Sequence, residues 1–437
     1  MTNSSYFKPA TIALHTGYSP ESDHGSRAVP IYQTTSYAFE SVQGASSLFN
    51  VEQGGHIYSR ISNPTVAVLE QRLAALEGGT GAICTASGMS ALFATFITLC
   101  SAGDHIVSSE QIYGSTATTL RYTLKRFGIE TDFIDINDEA ALKAAIKPNT
   151  KLVFCESISN PGMQVSNLPV ISKIANDAGV PVVIDATFAT PALNRPIEHG
   201  ANIVVHSITK WIGGHGAAIG GCIIDGGNFD WGKDDRYPAL TQPCDAYHGV
   251  NFFKEFGNMA MYVYGKGVGQ RDIGCSQQPM NAFLTICGLE TLPLRMQRHV
   301  ENAQKVAEWL SKHDSVAEVS FAGLPASPYH ELAKKYTPKG PGSLFTFDIK
   351  GGMEESAEFL EGLKLFTMVA NLGDARSLII HPASTTHGQL SAEHRKIAGI
   401  GDGTMRVSIG LEHSDDIIDD LQRGFDAIGS SSLRKAG

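Results

Sequence analysis

Between residues 64 and 208 the apolar positions fall into short blocks of two kinds, and the two kinds alternate. "PTVAVLEQRLAALEGG", from Pro64, spaces its apolar residues at helical intervals and stops at Gly78 and Gly79, a suitable helix C-cap. "GAICTASG" is a short apolar strand, and "MSALFATFITLC" follows it at once with helical spacing. "DHIVSSE", "KLVFCES", "PVVIDAT" and "NIVVHSI" predict further short, mostly apolar strands. The helical patterns "TATTLRYTLKRFG", "EAALKAAI" and "LPVISKIANDAG" separate several of them. Strand and helix taking turns predicts an α/β fold with a largely parallel sheet and helices on both faces. In such sheets ligands sit at the carboxyl ends of the strands.

The flanks read differently. Residues 1–64 are polar and turn-rich with little periodicity, which predicts an arm or wrapping segment. Residues 65–287 form the main domain, interrupted at about 226–270 by an aromatic and glycine-rich insertion. Residues 288–437 begin with the helix-like "LETLPLRMQRHVENAQKVAEWLSKH". The strands "VAEVSFAG" and "SLFTFDI" and the helix "ESAEFLEGLKLF" follow, so a smaller C-terminal α/β domain is expected. There is no internal repeat and no low-complexity tract.

Composition narrows the functions. With 437 residues, 42% hydrophobic and 18% charged, the chain is an ordinary soluble one with material for a large core. A net charge of −10 and no basic run argue against nucleic acid and anionic membrane as partners. No stretch approaches the length of a membrane span, and the first residues lack the layout of a secretory signal. Seven scattered cysteines without a CxxC predict reduced thiols in a cytoplasm-like compartment. Cys84, Cys100, Cys155 and Cys287 sit in apolar stretches and read as small core residues. The fifteen histidines show no HExxH, and His381 and His387 are spaced poorly for a zinc pair, so no metal is expected.

The candidate chemistry gathers around "VVHSITKWIGGHG", where Lys210 follows an apolar strand. A lysine amine is a nucleophile only when deprotonated or already linked, so catalytic lysines are desolvated or have cationic neighbours. Alone, a lysine at a strand end is usually a snorkelling surface residue. Asp185 ends the separate strand "PVVID", where a carboxylate is costly unless it meets a cation or caps a loop. One cofactor needs both residues: pyridoxal 5'-phosphate takes a lysine on its carbonyl and an acid on its ring nitrogen. Its phosphate would suit Ser87, Gly88 and Met89 at a strand-to-helix junction, with hydroxyls from Ser207 and Thr209. Tyr113 in "QIYGST" follows a strand and could lie over the ring; the plain alternative is a surface-loop tyrosine. "GGHGAAIGG" is no dinucleotide fingerprint, because Ile219 stands where the third glycine belongs.

Together these residues resemble the Cys/Met-metabolism family of pyridoxal-phosphate enzymes over nearly the whole chain. "HSITKWIGGHGAAIGG" resembles its lysine segment. "YSRISNPT", "SGMSA", "YGST", "ESISNP" and "IDATFATP" resemble its other cofactor stations in the same order. Within the family the chain is most similar to the O-acetylhomoserine sulfhydrylase branch, on "NLGDARSLIIHPASTTH" and the 226–270 insertion. The resemblance implies an aspartate-aminotransferase-like type I fold and a homotetramer of two tight dimers. It implies that Lys210 holds the cofactor and moves protons, Asp185 pairs with the ring nitrogen, and Tyr113 stacks. Asn160 and Thr187 would lie near the ring, and Gly88, Met89, Ser207 and Thr209 would hold the phosphate. Tyr58 and Arg60 would arrive from the neighbouring subunit, while Arg406 and Asn371 would take the substrate carboxylate. The implied reaction converts O-acetyl-L-homoserine and sulfide to L-homocysteine and acetate. A methionine γ-lyase, a cystathionine γ-synthase or a β-lyase would share this core. Ser115 stands where methionine γ-lyases carry cysteine, and Ala186 replaces a common asparagine. A non-catalytic binding protein on the same fold is the alternative of another class; the intact Lys210, Asp185 and Arg406 weigh against it.

Overall fold

A computed structural model describes residues 7–20, 24–50, 52–160, 163–386, 388 and 399–429. Its strands are β1 Gly81–Thr85, β2 His105–Ser109, β3 Glu130–Ile134, β4 Thr150–Glu156, β5 Val182–Asp185, β6 Ile203–His206 and β7 Gly221–Asp225, then β8 Val316–Ser320, β9 Leu344–Ile349, β10 Thr367–Met368, β11 Leu378–Ile380 and β12 Thr404–Ser408. The first seven form one sheet in the order β1-β7-β6-β5-β4-β2-β3, and the other five form a second in the order β10-β11-β12-β9-β8. In the large sheet only β7 runs against its neighbours. All six other strands therefore deliver their carboxyl ends to one edge.

Successive residues of the central strands point into different cores. Val153 and Cys155 of β4 join a core with Ile184 and Val204, while Leu152 and Phe154 join another with Val183 and Val205. A sheet buried on both faces needs apolar side chains at both phases of the pleat, which is why these strands read as continuous apolar runs. The helix Pro64–Glu77 packs on the first face, capped by the Asn63 side chain and closed by Gly78 at φ 81°. The helix Gly88–Leu99 packs on the second.

The 226–270 segment covers that second face. Phe229, Trp231 and Tyr237 are buried and meet edge-on, with ring centroids 4.7, 5.1 and 5.9 Å apart. The segment is thus core-forming. In the opening arm the helix Pro9–His15 docks on its own chain, where the buried Arg72 guanidinium donates to the carbonyls of Ala13, Leu14 and Thr16. The predicted helix at 116–128 is helical but irregular: Gly114–Thr118 is α, Thr119–Thr123 has π spacing and Leu124–Phe127 tightens to 3-10. The core reading holds for Cys84, Cys100 and Cys155 but fails for Cys287, which is exposed. Cys287 sits on the helix Pro279–Glu290, whose inward face is taken by Ala282, Ile286 and Leu289. Among the described residues no helix is long and apolar enough to cross a membrane.

Candidate active site

The strand ends of the large sheet and a loop of the small one enclose a cavity of about 300 Å³. Twelve of the residues singled out in the sequence line it: Ser87, Gly88, Met89, Tyr113, Asn160, Asp185, Thr187, Ser207, Thr209, Lys210, Asn371 and Arg406. Tyr58 and Arg60 do not. They stand together elsewhere on the chain, with the Arg60 guanidinium 5.6 Å from the Tyr58 ring centroid and donating to the Arg271 carbonyl. His381 is buried and bonded to Ser384 and the Asp402 carbonyl; His387 lies outside the described residues.

Lys210 sits in a tight turn after β6. Its N–H donates to the Ser207 carbonyl at 3.2 Å, and its carbonyl accepts from the Gly214 N–H at 2.8 Å. The buried Arg295 guanidinium fastens the far side of this turn, donating to the carbonyls of Trp211 at 2.8 Å, Ile212 at 3.2 Å and Gly288 at 2.7 Å. Lys210 Nζ donates to Asn371 Oδ1 at 2.6 Å, and Arg406 donates to the Asn371 carbonyl at 3.4 Å. Asn371, read as a carboxylate contact, thus first meets the lysine. Burial, and then the Arg406 charge, hold the Lys210 amine down at about 8. Burial lowers Arg406 itself.

Asp185 and Glu156 end adjacent parallel strands in register. Asp185 Oδ1 accepts from the Thr187 N–H at 2.9 Å and from the Thr187 hydroxyl at 2.5 Å. That hydroxyl oxygen also accepts from the Ser207 N–H at 2.8 Å, joining the ends of β5 and β6. Burial raises both carboxyls, and for Glu156 the neighbouring Asp185 charge adds to it; the Thr187 bonds oppose the rise at Asp185. Two carboxylates in one buried wall are costly without a cation between or beside them.

The residues fit pyridoxal phosphate on three counts. A reactive amine and a carboxylate wanting a cation share one cavity. Asn160 Oδ1 is buried there with no partner among the described residues, an acceptor for a ring hydroxyl. Gly88, which opens its helix, lies so near Ser207 that an added Cβ would stand 2.6 Å from the Ser207 Cβ. That leaves a close-walled seat at a helix N-terminus, where free N–H groups and the dipole favour a phosphate. The Thr209 hydroxyl is tied at both ends of Gly220, donating to its carbonyl at 3.2 Å and accepting from its N–H at 3.1 Å.

The sequence profile of the Cys/Met metabolism PLP-dependent enzymes matches residues 10–426. The chain belongs to this family. Its relatives include an O-acetyl-L-homoserine sulfhydrylase of Leptospira meyeri, 45% identical over 96% of this chain and 97% of that one. A homocysteine synthase of Schizosaccharomyces pombe is 47% identical over 95% of this chain and 97% of its own. A Campylobacter jejuni chain assigned as an O-acetylhomoserine (thiol)-lyase, crystallised with a pyridoxyl-lysine phosphate, is 42% identical. It superposes with a TM-score of 0.92 over 96% of this chain and all of that one. The family's cofactor is therefore this chain's cofactor, and the type I fold is the one observed.

Some of the cavity wall escaped the sequence reading. Glu156 was within reach, because it ends the apolar run "KLVFCE" much as Asp185 ends "PVVID". Phe188, Ile219 and Leu372 also line the cavity, and nothing in their spacing sets them apart from core residues.

Proposed function

We propose that this chain replaces the γ-substituent of O-acetyl-L-homoserine with sulfide, giving L-homocysteine and acetate. The observation that carries the reading is the meeting of Lys210, Asp185 and Arg406 in one cavity, in a chain whose relatives bear the names of that activity. When bound, pyridoxal 5'-phosphate draws electrons from the substrate and acidifies its Cα and Cβ hydrogens. Asp185 keeps the ring nitrogen protonated, and Thr187 orients that carboxylate. Lys210 holds the cofactor until the substrate amine displaces it. Its freed Nζ then takes the Cα proton and carries the proton lost from Cβ, which lets acetate leave Cγ and hydrosulfide take its place. A positioned base of this kind contributes roughly 10²–10⁴-fold.

Arg406 grips the substrate carboxylate as a charged fork. Asn371, released by Lys210, assists it. Tyr113 stacks on the ring and helps the leaving group, Asn160 meets the ring hydroxyl, and Gly88, Met89, Ser207 and Thr209 seat the phosphate. Tyr58 and Arg60 serve the phosphate of a second copy's site, within a homotetramer of two dimers; the half-exposed Tyr58 ring, which does not line its own chain's cavity, supports that reading. Seven unpaired cysteines fit a reducing cytoplasm.

The test is to incubate the cofactor-loaded protein with O-acetyl-L-homoserine, with and without sulfide, beside an L-methionine control. Homocysteine formed only from ester plus sulfide is the expected result. 2-Oxobutyrate from methionine without homocysteine would make the protein a lyase instead.

A further inference from the structure

Glu156 is 6% exposed and stands in the cavity wall. Among the described residues it makes no ion pair. Its two oxygens are spent on two backbone groups: Oε1 accepts from the Tyr113 N–H at 2.7 Å, and Oε2 accepts from the Asn160 N–H at 3.1 Å. Tyr113 follows β2 and Asn160 follows β4, so one carboxylate ties together two loops that leave different strands. The Tyr113 side chain has no hydrogen bond among the described residues, and the helix after it is five residues long before it loosens to π spacing. Close after Asn160 in the chain, Met163 adopts φ 52°, a left-handed backbone rare for methionine. A second buried carboxylate beside Asp185 is an expensive way to fill a wall. Charge-assisted bonds to two N–H groups offset that cost, and they fix geometry.

We propose that Glu156 is a positioning residue for the cofactor: through these two N–H groups it sets the stance of the Tyr113 ring over one face of the cofactor and of the Asn160 amide at its edge. The proposal rests on the assignment of Tyr113 and Asn160 to the cofactor under the proposed function. Glu156 acts through them and touches no reacting atom.

Glu156→Gln keeps the shape but turns one acceptor into a donor that faces a backbone N–H, so one of the two loops must let go. In the loaded enzyme kcat should fall about 10–100-fold, as expected of a misplacement of about an ångström, with KM for O-acetyl-L-homoserine little changed. The cofactor-free protein should bind pyridoxal phosphate about tenfold more weakly, and the visible circular dichroism of the bound cofactor should shrink. In a Tyr113→Ala background the same change should cost much less kcat, because one of the groups it positions has been removed. Glu156→Asp keeps the charge and loses the reach to one N–H, so it should show the same loss of dichroism; this arm stands if the glutamine variant does not fold. A wild-type band and kcat in either variant overturns the proposal, as does an equal loss in both backgrounds. A wild-type protein that binds no pyridoxal phosphate or turns over no ester would sink the functional reading instead.

Discussion

An amine captures an aldehyde only in its neutral form, and the setting of Lys210 controls how much of that form exists. Burial and the Arg406 charge bring its pKa from 10.5 to about 8. At pH 7 about one-tenth of Lys210 is then neutral, against roughly one part in 3,000 for an exposed lysine, an advantage of roughly 300-fold in reactive amine. The rate at which cofactor-free protein captures pyridoxal phosphate, followed by visible absorbance across a pH series, should therefore rise with a midpoint at about 8. Arg406→Met removes the smaller of the two causes. The midpoint should move up yet stay below 10.5, because burial remains. Stability depends on the same group. Between about 8 and 10.5 the folded cofactor-free protein binds fewer protons at Lys210 than the unfolded chain, so this group's contribution rises with pH across that window. Below it the folded state bears the full penalty, at most about 3 kcal/mol, and Lys210→Met should flatten the rise. A wild-type capture midpoint near that of an exposed lysine, or a downward move in Arg406→Met, would refute the reasoning.

Three further outcomes are expected. Gly88→Ala brings a methyl within 2.6 Å of the Ser207 Cβ and 3.0 Å of its Cα, so titration of the cofactor-free protein should show affinity for pyridoxal phosphate lowered at least tenfold, roughly 1.4 kcal/mol. Arg295→Met strands the buried Trp211 and Ile212 carbonyls that it now satisfies, while Gly288 keeps its bonds from Thr291; urea unfolding should show a loss of about 3 kcal/mol or more. Gly373→Ala places a methyl 2.6 Å from the Trp211 backbone nitrogen at a glycine with φ 75°, and thermal unfolding should report a destabilisation of about 1–3 kcal/mol.

The sequence was most readable where burial is two-sided. β4 from Leu152 to Cys155 and the interiors of β5 and β6 are apolar because cores lie on both faces, and their ends stood out where a polar residue broke the run. Asp185 and Lys210 were found by that contrast, and Glu156 carries the same contrast. β3 was not seen because "ETDFI" is an edge strand with polar, partly exposed positions and offers no apolar run. β7 was missed for a different reason. Its apolar centre is short, it lies between a glycine loop and the insertion, and it runs against its neighbours, which no alternation of strand and helix anticipates. The insertion is aromatic and glycine-rich, a composition that by itself places it neither inside nor outside the core. Its rings pack edge-on inside the second core.

What no local pattern could supply is the contact between the sheets. Arg406 lies on β12 of the small sheet, paired with Ile380 and Thr346, yet it faces Lys210 from the large one. The loop that carries Asn371 makes this possible. Gly373 packs against the backbone at Lys210 and Trp211, and its N–H is held by the Ser408 hydroxyl of β12 at 2.9 Å. One loop thus fixes the small sheet to the turn that bears the lysine. Any shift of the small sheet must change the Lys210–Asn371 bond and the Arg406 charge felt by the amine together. The lysine's reactivity and the carboxylate seat proposed at Arg406 are therefore set by the same junction. A change such as Gly373→Ala should accordingly shift the Lys210 capture midpoint as well as stability, whereas Arg295→Met, whose bonds go to Trp211, Ile212, Gly288 and Thr291 and to neither Lys210 nor Asn371, should weaken the fold with a smaller effect on that midpoint.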